Sequence, residues 1–225
     1  ILQIQGDGDL KTLVAQATHD RKIRGLLRAS DIVTLGSMQA MFGEGRVVIT
    51  VSSEQNQQYQ GIVPLLGETL ADVLQTYFTQ SEQLNTRLWL FANENHTTGL
   101  LLQELPSQLN VISDWERIEI LANTITEQEL MELDCEDMIY RLFHEEKVRI
   151  FDPEPIEFHC SCSRLKIENA LRTFSPKELN DIIVEQGKID VNCEFCNKHY
   201  QFDKIDVEQL LNWNKTVVTD SNIRH

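Results

Sequence analysis

The chain has 225 residues, with 35 acidic against 20 basic side chains, a net charge of −15, and 41% hydrophobic and 24% charged residues. That apolar content is enough to bury a core, which argues against wholesale disorder, and the length suits one large domain or two modest ones. Phosphate affinity comes mostly from Lys and Arg, so the acidic balance argues against nucleic acid and against anionic membrane surfaces as partners. No run approaches the roughly 18 uninterrupted apolar residues of a membrane span, and the densest, 47–51, is strand-sized. The chain therefore reads as soluble. Position 1 is Ile and leads directly into an alternating pattern, which predicts that the native amino terminus lies upstream.

Residues 1–106 read as an α+β domain. Alternation predicts strands over 1–5, 46–52, 59–65, 87–92 and 99–105. One helix is predicted among them, because Leu70, Val73, Leu74, Tyr77 and Phe78 recur at helical spacing and form one apolar face. Gly6-Asp7-Gly8 and Gly43-Glu44-Gly45 lack the glycine spacing that wraps a phosphate, so they read as turns and no nucleotide cofactor is expected.

Residues 107–157 read as an acidic helical linker. Thr126 and Glu129 form a capping box with Ile125 and Leu130 in the staple positions, and Asp134 offers a second cap between Leu133 and Met138. Between residues 127 and 157 there are 11 acidic and 3 basic residues, a local net of −8, so these helices repel themselves. Short charged helices are marginal alone. Their apolar residues, Ile118, Leu121, Leu130, Leu133, Met138, Ile139, Leu142 and Phe143, therefore need a cover. Two readings follow: a helical subdomain packed for good, or a metastable linker whose apolar face is released. Cys135 lies alone on a predicted helix, where a lone cysteine is usually a small buried apolar residue.

Asp152-Pro153-Glu154-Pro155 marks a rigid boundary before a third region, 158–225, which holds the chemistry. Cys160-Ser161-Cys162 and Cys193-Glu194-Phe195-Cys196 are separated by 30 residues and together make the four-thiol set of a tetrahedral zinc site. Ser175-Pro176-Lys177-Glu178 is a helix start and Gly187 a stop. Residues 188–192 and 199–202 then alternate as two strands, which puts Cys193 and Cys196 on a hairpin turn. That placement weighs against a thioredoxin-type enzyme, whose C-x-x-C sits at a helix amino terminus that depresses the thiol pKa. Free or redox-only thiols are the alternative to zinc. His159 and His199 are near enough to be weighed as ligands, but four cysteines already close the site.

Metal binding supplies on the order of 10–16 kcal/mol of folding free energy to a small domain, so its loss would unfold this region. Oxidised thiols are poor zinc ligands, which makes two close cysteine pairs suited to reversible oxidation. No spacing of Ser, His or carboxylate meets the needs of catalysis, so no catalytic residue and no enzyme is expected. Residues 158–203 carry 6 basic and 7 acidic side chains, which leaves a constitutive zinc-ribbon adaptor or a thiol-disulfide oxidoreductase as weaker readings.

The run His159-Cys160-Ser161-Cys162-Ser163, with residues 189–202 around Cys193 and Cys196, resembles the redox switch of the heat shock protein 33 family. Tyr140-Arg141-Leu142-Phe143-His144-Glu145-Glu146, Arg46-Val47-Val48-Ile49-Thr50, Tyr59-Gln60-Gly61 and Ser81-Glu82-Gln83-Leu84 resemble the same family, so the likeness covers nearly the whole chain. The resemblance implies a cytoplasmic, stress-activated holdase chaperone without ATPase activity. It implies one zinc held by Cys160, Cys162, Cys193 and Cys196 in a reduced, inactive form. It further implies that oxidation pairs Cys160 with Cys162 and Cys193 with Cys196, releases zinc and unfolds switch and linker. Unfolding client proteins would then bind exposed apolar surface, here Leu130, Leu133, Met138, Ile139, Leu142 and Phe143, usually with homodimerisation. Members of the family carry an amino-terminal segment absent from this sequence, and Cys135 lies outside the four-cysteine pattern and is assigned no role.

Overall fold

Alternation in residues 1–5 and 46–52 turns Ile4 and Val47 to one face, where they pair across an antiparallel ladder and are fully buried. The computed structural model describes residues 1–53, 57–105 and 112–220. By contacts the chain divides into two units, Ile1–Arg21 with Gly25–Ile156, and Lys22–Arg24 with Glu157–His225. The helices of the acidic region thus cluster with the first unit, and the expected boundary at 106/107 lies outside the described residues.

The first unit is built on strands β1 (Leu2–Gly6), β2 (Leu10–Ala17), β3 (Lys22–Ala29, of which 25–29 belong here), β4 (Gly45–Ser52) and β5 (Gln58–Pro64), in the order β5-β4-β1-β2-β3. A short helix α1 (Met38–Phe42) and the amphipathic α2 (Leu70–Tyr77) supply Met38, Phe42, Val73 and Tyr77 to the core that covers Ile4, Val47, Val63 and Leu65. The two glycine-flanked turns grip each other: the Gly8 amide donates to the Phe42 carbonyl at 2.7 Å and the Glu44 amide to the Asp7 carboxylate at 2.8 Å. A Cβ on Gly6 would lie 2.0 Å from the Phe42 carbonyl oxygen, so close backbone approach requires glycine there. Gly61 leaves room for the Tyr77 ring, whose hydroxyl donates to Glu82 at 2.8 Å.

The expected strands and the helix at Leu70 are present. Strands β2 and β3, the short α1 and a π-helical turn, Phe78–Glu82, are additional to the expectation. Thr69 caps α2 through a reciprocal box with Asp72.

A hairpin, β6 (Thr86–Ala92) with β7 (Thr97–Gln103), forms a separate antiparallel ribbon. Helices α3 (Ile112–Ala122), α4 (Glu127–Glu132) and α5 (Cys135–Phe143) follow. Ile125, Leu130 and Leu142 are buried together against Trp89, Phe91, Leu100, Met138 and Phe143. That ribbon is the cover the acidic helices need. Leu133 is exposed and Met138, Ile139 and Phe143 are half-buried. The Thr126–Glu129 capping box is formed, whereas Asp134 stands at the N-cap of α5 without a side-chain bond to the helix.

Three arginines offset the surplus of carboxylates. Arg87 of β6 bonds Glu119 of α3 at 2.6 Å, Arg117 pairs with Glu146, and Arg141 bonds Glu129 at 2.6 Å while donating to the Thr124 hydroxyl and carbonyl. Cys135 departs from expectation. It is exposed in the first turn of α5, because that turn faces a groove of about 720 Å³ shared with Ile139, Ile150 and Phe151 instead of the core.

The second unit contains β8 (Glu157–Phe158), α6 (Arg164–Leu171), α7 (Pro176–Gln186), β9 (Ile189–Asn192), β10 (His199–Phe202) and α8 (Lys204–Asp220). Its core gathers Leu171, Leu179, Ile183, Ile189, Cys193, Tyr200, Phe202, Val207 and Leu210. Helix α7 begins with the expected Ser175–Glu178 box and Pro176, and ends at Gly187 in the left-handed conformation, φ 78°.

Glu129 yields a test of the helical region. Bonds from the Thr126 backbone and side chain, then Arg141, hold its carboxyl below the ordinary value of 4.5. A depressed folded-state pKa adds stability that is complete above the unfolded value and disappears as pH falls through the folded one. Glu129→Gln should therefore lower the melting temperature of the first unit at pH 7, and the gap from wild type should narrow as pH drops below about 4.5. Melting followed by circular dichroism at both pH values checks this.

Candidate metal centre

Each arm of the site is fixed by ordinary local structure. Cys160 and Cys162 lie in the extended stretch between β8 and α6, whose N-cap Ser163 accepts from the Lys166 amide at 3.2 Å. The parallel pairing of Lys22 and Ile23 with Glu157 and Phe158 and a bond from the His159 amide to the Ile23 carbonyl at 3.0 Å anchor this stretch. Cys193 and Cys196 occupy the β9–β10 turn. That turn is closed by the Cys193 amide on the Lys198 carbonyl at 3.0 Å and the Asn197 amide on the Cys193 carbonyl at 2.7 Å, with Asn197 left-handed at φ 56°. Asn tolerates that conformation better than most residues.

All four sulfurs lie within 4.8 Å of one another. Cys160 Sγ is 3.6 Å from Cys193 Sγ, Cys162 Sγ is 3.4 Å from Cys196 Sγ, and all four are free thiols. A tetrahedral zinc at about 2.3 Å from each sulfur requires sulfur–sulfur edges of about 3.8 Å, so the set is sized for such an ion. Soft thiolates match zinc and related soft metals. Cys193 is buried and the other three are partly buried, which keeps the donors at the margin of the core. Neither histidine joins the group. The His199 ring lies between the Asp190 and Asn192 side chains at 3.1 and 2.9 Å, and the His159 backbone extends the pairing beside β8.

The ionisation of Cys160 and of Cys196 depends on the neighbouring sulfurs. Burial pushes the Cys160 thiol up, but bonds from the Cys162 backbone and from the other three thiols outweigh it and bring it down to about 6. The Lys198 backbone lowers the Cys196 thiol, but burial and the three neighbouring thiols outweigh it and push it up to about 12. The Cys160 proton leaves readily because neighbouring thiols donate to the resulting thiolate, and the Cys196 proton is held by the sulfurs around it.

Two further residues touch the sulfurs. The Tyr200 hydroxyl donates to Cys162 Sγ at 3.1 Å. Arg24 donates to Cys160 Sγ at 3.7 Å and to the Ser161 hydroxyl at 3.2 Å, with its guanidinium 4.2 Å above the Phe195 ring. Tyr200 was readable as an inward strand position whose polar tip needs a partner. Arg24 carried no signal, because 136 positions separate it from Cys160.

A family model described as "Hsp33 protein" matches residues 1–203. The chain belongs to the Hsp33 family. The "33 kDa chaperonin" of Nitrosococcus oceani is 54% identical over 210 residues, covering 93% of this chain and 73% of the relative. That of Methylobacillus flagellatus is 42% identical over 228 residues, covering 100% and 78%. A crystal structure of the 33 kDa chaperonin (HSP33) from Thermotoga maritima superposes with a TM-score of 0.80 at 27% identity, covering 96% of this chain and 78% of that one. These relatives carry chaperone names, and this chain is an Hsp33-family chaperone. Among the described residues, no helix is long and apolar enough to cross a membrane.

If the four thiols hold a metal that stabilises the second unit, the reduced chain carries one metal ion, measurable by elemental analysis. Removal with a strong chelator should then abolish the ordered signals of the β9–β10 hairpin and α7 in a two-dimensional NMR spectrum while leaving the Ile4–Val47 sheet intact. A metal-free spectrum identical to the loaded one would remove the metal from the folding of this unit.

Proposed function

We propose that this chain is a redox-regulated holdase of the cytoplasm. In the reduced state Cys160, Cys162, Cys193 and Cys196 hold one zinc ion and the chaperone is inactive. Zinc, when bound, supplies cross-linking free energy on the order of 10–16 kcal/mol, comparable with the whole stability of a domain. The observation that carries the reading is the convergence of four free thiols, two from each of two close sequence pairs, within 4.8 Å.

On oxidation by a hydroperoxide, Cys160 joins Cys162 and Cys193 joins Cys196. Each pair of thiolates gives up two electrons as its S–S bond forms, and one hydrogen peroxide takes up those electrons and two protons from solvent to become two waters, its O–O bond breaking. The sulfurs then cease to be useful metal donors, and the second unit loses its cross-link. Unfolding spreads to the acidic helices. Leu130, Leu133, Met138, Ile139, Leu142 and Phe143 become available to unfolding client proteins, and the active form is a homodimer.

Two features support the release of these helices. Their apolar contact is small, a cluster of Ile125, Leu130 and Leu142 on the β6–β7 ribbon. Residues 127–157 also carry a net −8, so self-repulsion opposes their packing. The rival oxidoreductase reading is disfavoured because Cys193 and Cys196 lie on the turn between two strands and not in the first turn of a helix. A constitutive zinc adaptor differs by being indifferent to oxidant.

Titration with peroxide under a mild unfolding stress, following zinc release, free thiols and client aggregation in the same samples, separates these readings. The switch reading expects zinc and four thiols to disappear as anti-aggregation activity appears, with reversal by a dithiol. Equal activity of the reduced, zinc-loaded chain would refute it.

A further inference from the structure

We propose that Tyr200 is a positioning residue for the thiol cluster, its phenol hydrogen-bonding the Cys162 sulfur so that the metal is held more firmly and that sulfur is a poorer nucleophile. This rests on the reading of the four thiols as a metal site.

The alternation of β10 turns Tyr200 and Phe202 inward and leaves His199 and Gln201 outside. Phe202 is fully buried and Tyr200 is 7% exposed in the same core. An apolar ring suffices to fill such a position, as Phe202 does. A phenol there must find a partner for its hydroxyl, since an unpaired buried hydroxyl costs free energy. The partner is Cys162 Sγ at 3.1 Å. The ring cannot drift from it easily, because Tyr200 is held opposite Val191 in the β9–β10 ladder, two positions from the turn residue Cys193.

The chemistry follows from charge. Four thiolates around a divalent cation leave a net charge of −2 at the edge of an apolar core. A hydrogen bond to a charged acceptor is stronger than a neutral one, so the phenol stabilises the fully deprotonated, metal-holding set over its protonated alternatives. The same bond draws electron density from the sulfur lone pairs, which slows their attack on an electrophile. One hydroxyl therefore sets both metal retention and the reactivity of Cys162. Second-shell partners of this kind are commonly worth 10- to 100-fold in metal affinity.

The test uses the full chain, reduced and zinc-loaded, as wild type, as Tyr200→Phe, and with 3-fluorotyrosine placed at position 200, whose more acidic hydroxyl is a stronger donor. The readouts are competition for zinc by a chromogenic chelator and the rate of iodoacetamide alkylation at Cys162 and Cys193, resolved by peptide mass. Tyr200→Phe should lose zinc at roughly tenfold lower chelator concentration and alkylate faster at Cys162 than at Cys193 relative to wild type. The fluorinated chain should shift both readouts the other way, a result that a merely space-filling ring does not produce, and it carries the test if Tyr200→Phe fails to fold. Unchanged zinc retention and Cys162 alkylation in the substituted chains overturn the proposal while leaving the metal reading intact. A wild-type chain that holds no zinc overturns the metal reading, and the proposal with it.

Discussion

Four thiols held within 4.8 Å of one another cannot all ionise without a counter-charge, and the second unit is built around that constraint. Without a cation the Cys160 thiol is pulled down to about 6 and the Cys196 thiol is pushed up to about 12. A divalent cation would offset two of the four charges and tie the two arms of the chain at one point. The arms come from segments thirty residues apart, so the tie closes a loop that contains α6, α7 and β9. Loss of that tie restores the conformational freedom of the whole loop.

The surrounding residues are suited to this role. Tyr200 and Arg24 place hydrogen-bond donors on the sulfurs of Cys162 and Cys160, where negative charge accumulates. Apolar residues Leu179, Ile189 and Phe202 pack beneath them and depend on the hairpin geometry that the turn residues Cys193 and Cys196 define. Hairpin and core are therefore mutually dependent, and a metal held by the four thiols would support both. A domain of this size with so modest a core is one in which metal free energy is comparable to total stability. The acidic helices show a similar economy: a few buried side chains and three arginines hold a region whose charge opposes its own packing.

Local chemistry explains which features were legible in the sequence. The boxes at Thr126 and Ser175, the stop at Gly187 and the β9–β10 alternation each rest on residues a few positions apart, and each is present. The C-x-C and C-x-x-C pairs identified the four sulfurs for the same reason. Strand β3 was missed because it contains Lys22, Arg24, Gly25 and Arg28 and buries little, so it is defined by its neighbours and not by an apolar face. Helix α6 was missed because only Leu171 of its eight residues is buried. Cys135 was read as buried from the habits of its residue type, but its place in the first turn of α5 faces outward. The contact of Arg24 with Cys160 joins distant parts of the chain and has no local signature.

The central claim is that the state of four sulfurs controls the order of both the metal-binding unit and the acidic helices. Hydrogen exchange resolved by peptide, on the same chain before and after peroxide treatment, tests it most directly. The account predicts that amides of β9, β10 and α7 lose protection together with those of α4 and α5, while β1 and β4 remain protected. Protection of α4 and α5 that survives full oxidation and zinc loss would contradict the account, because the thiol cluster would then govern its own unit alone.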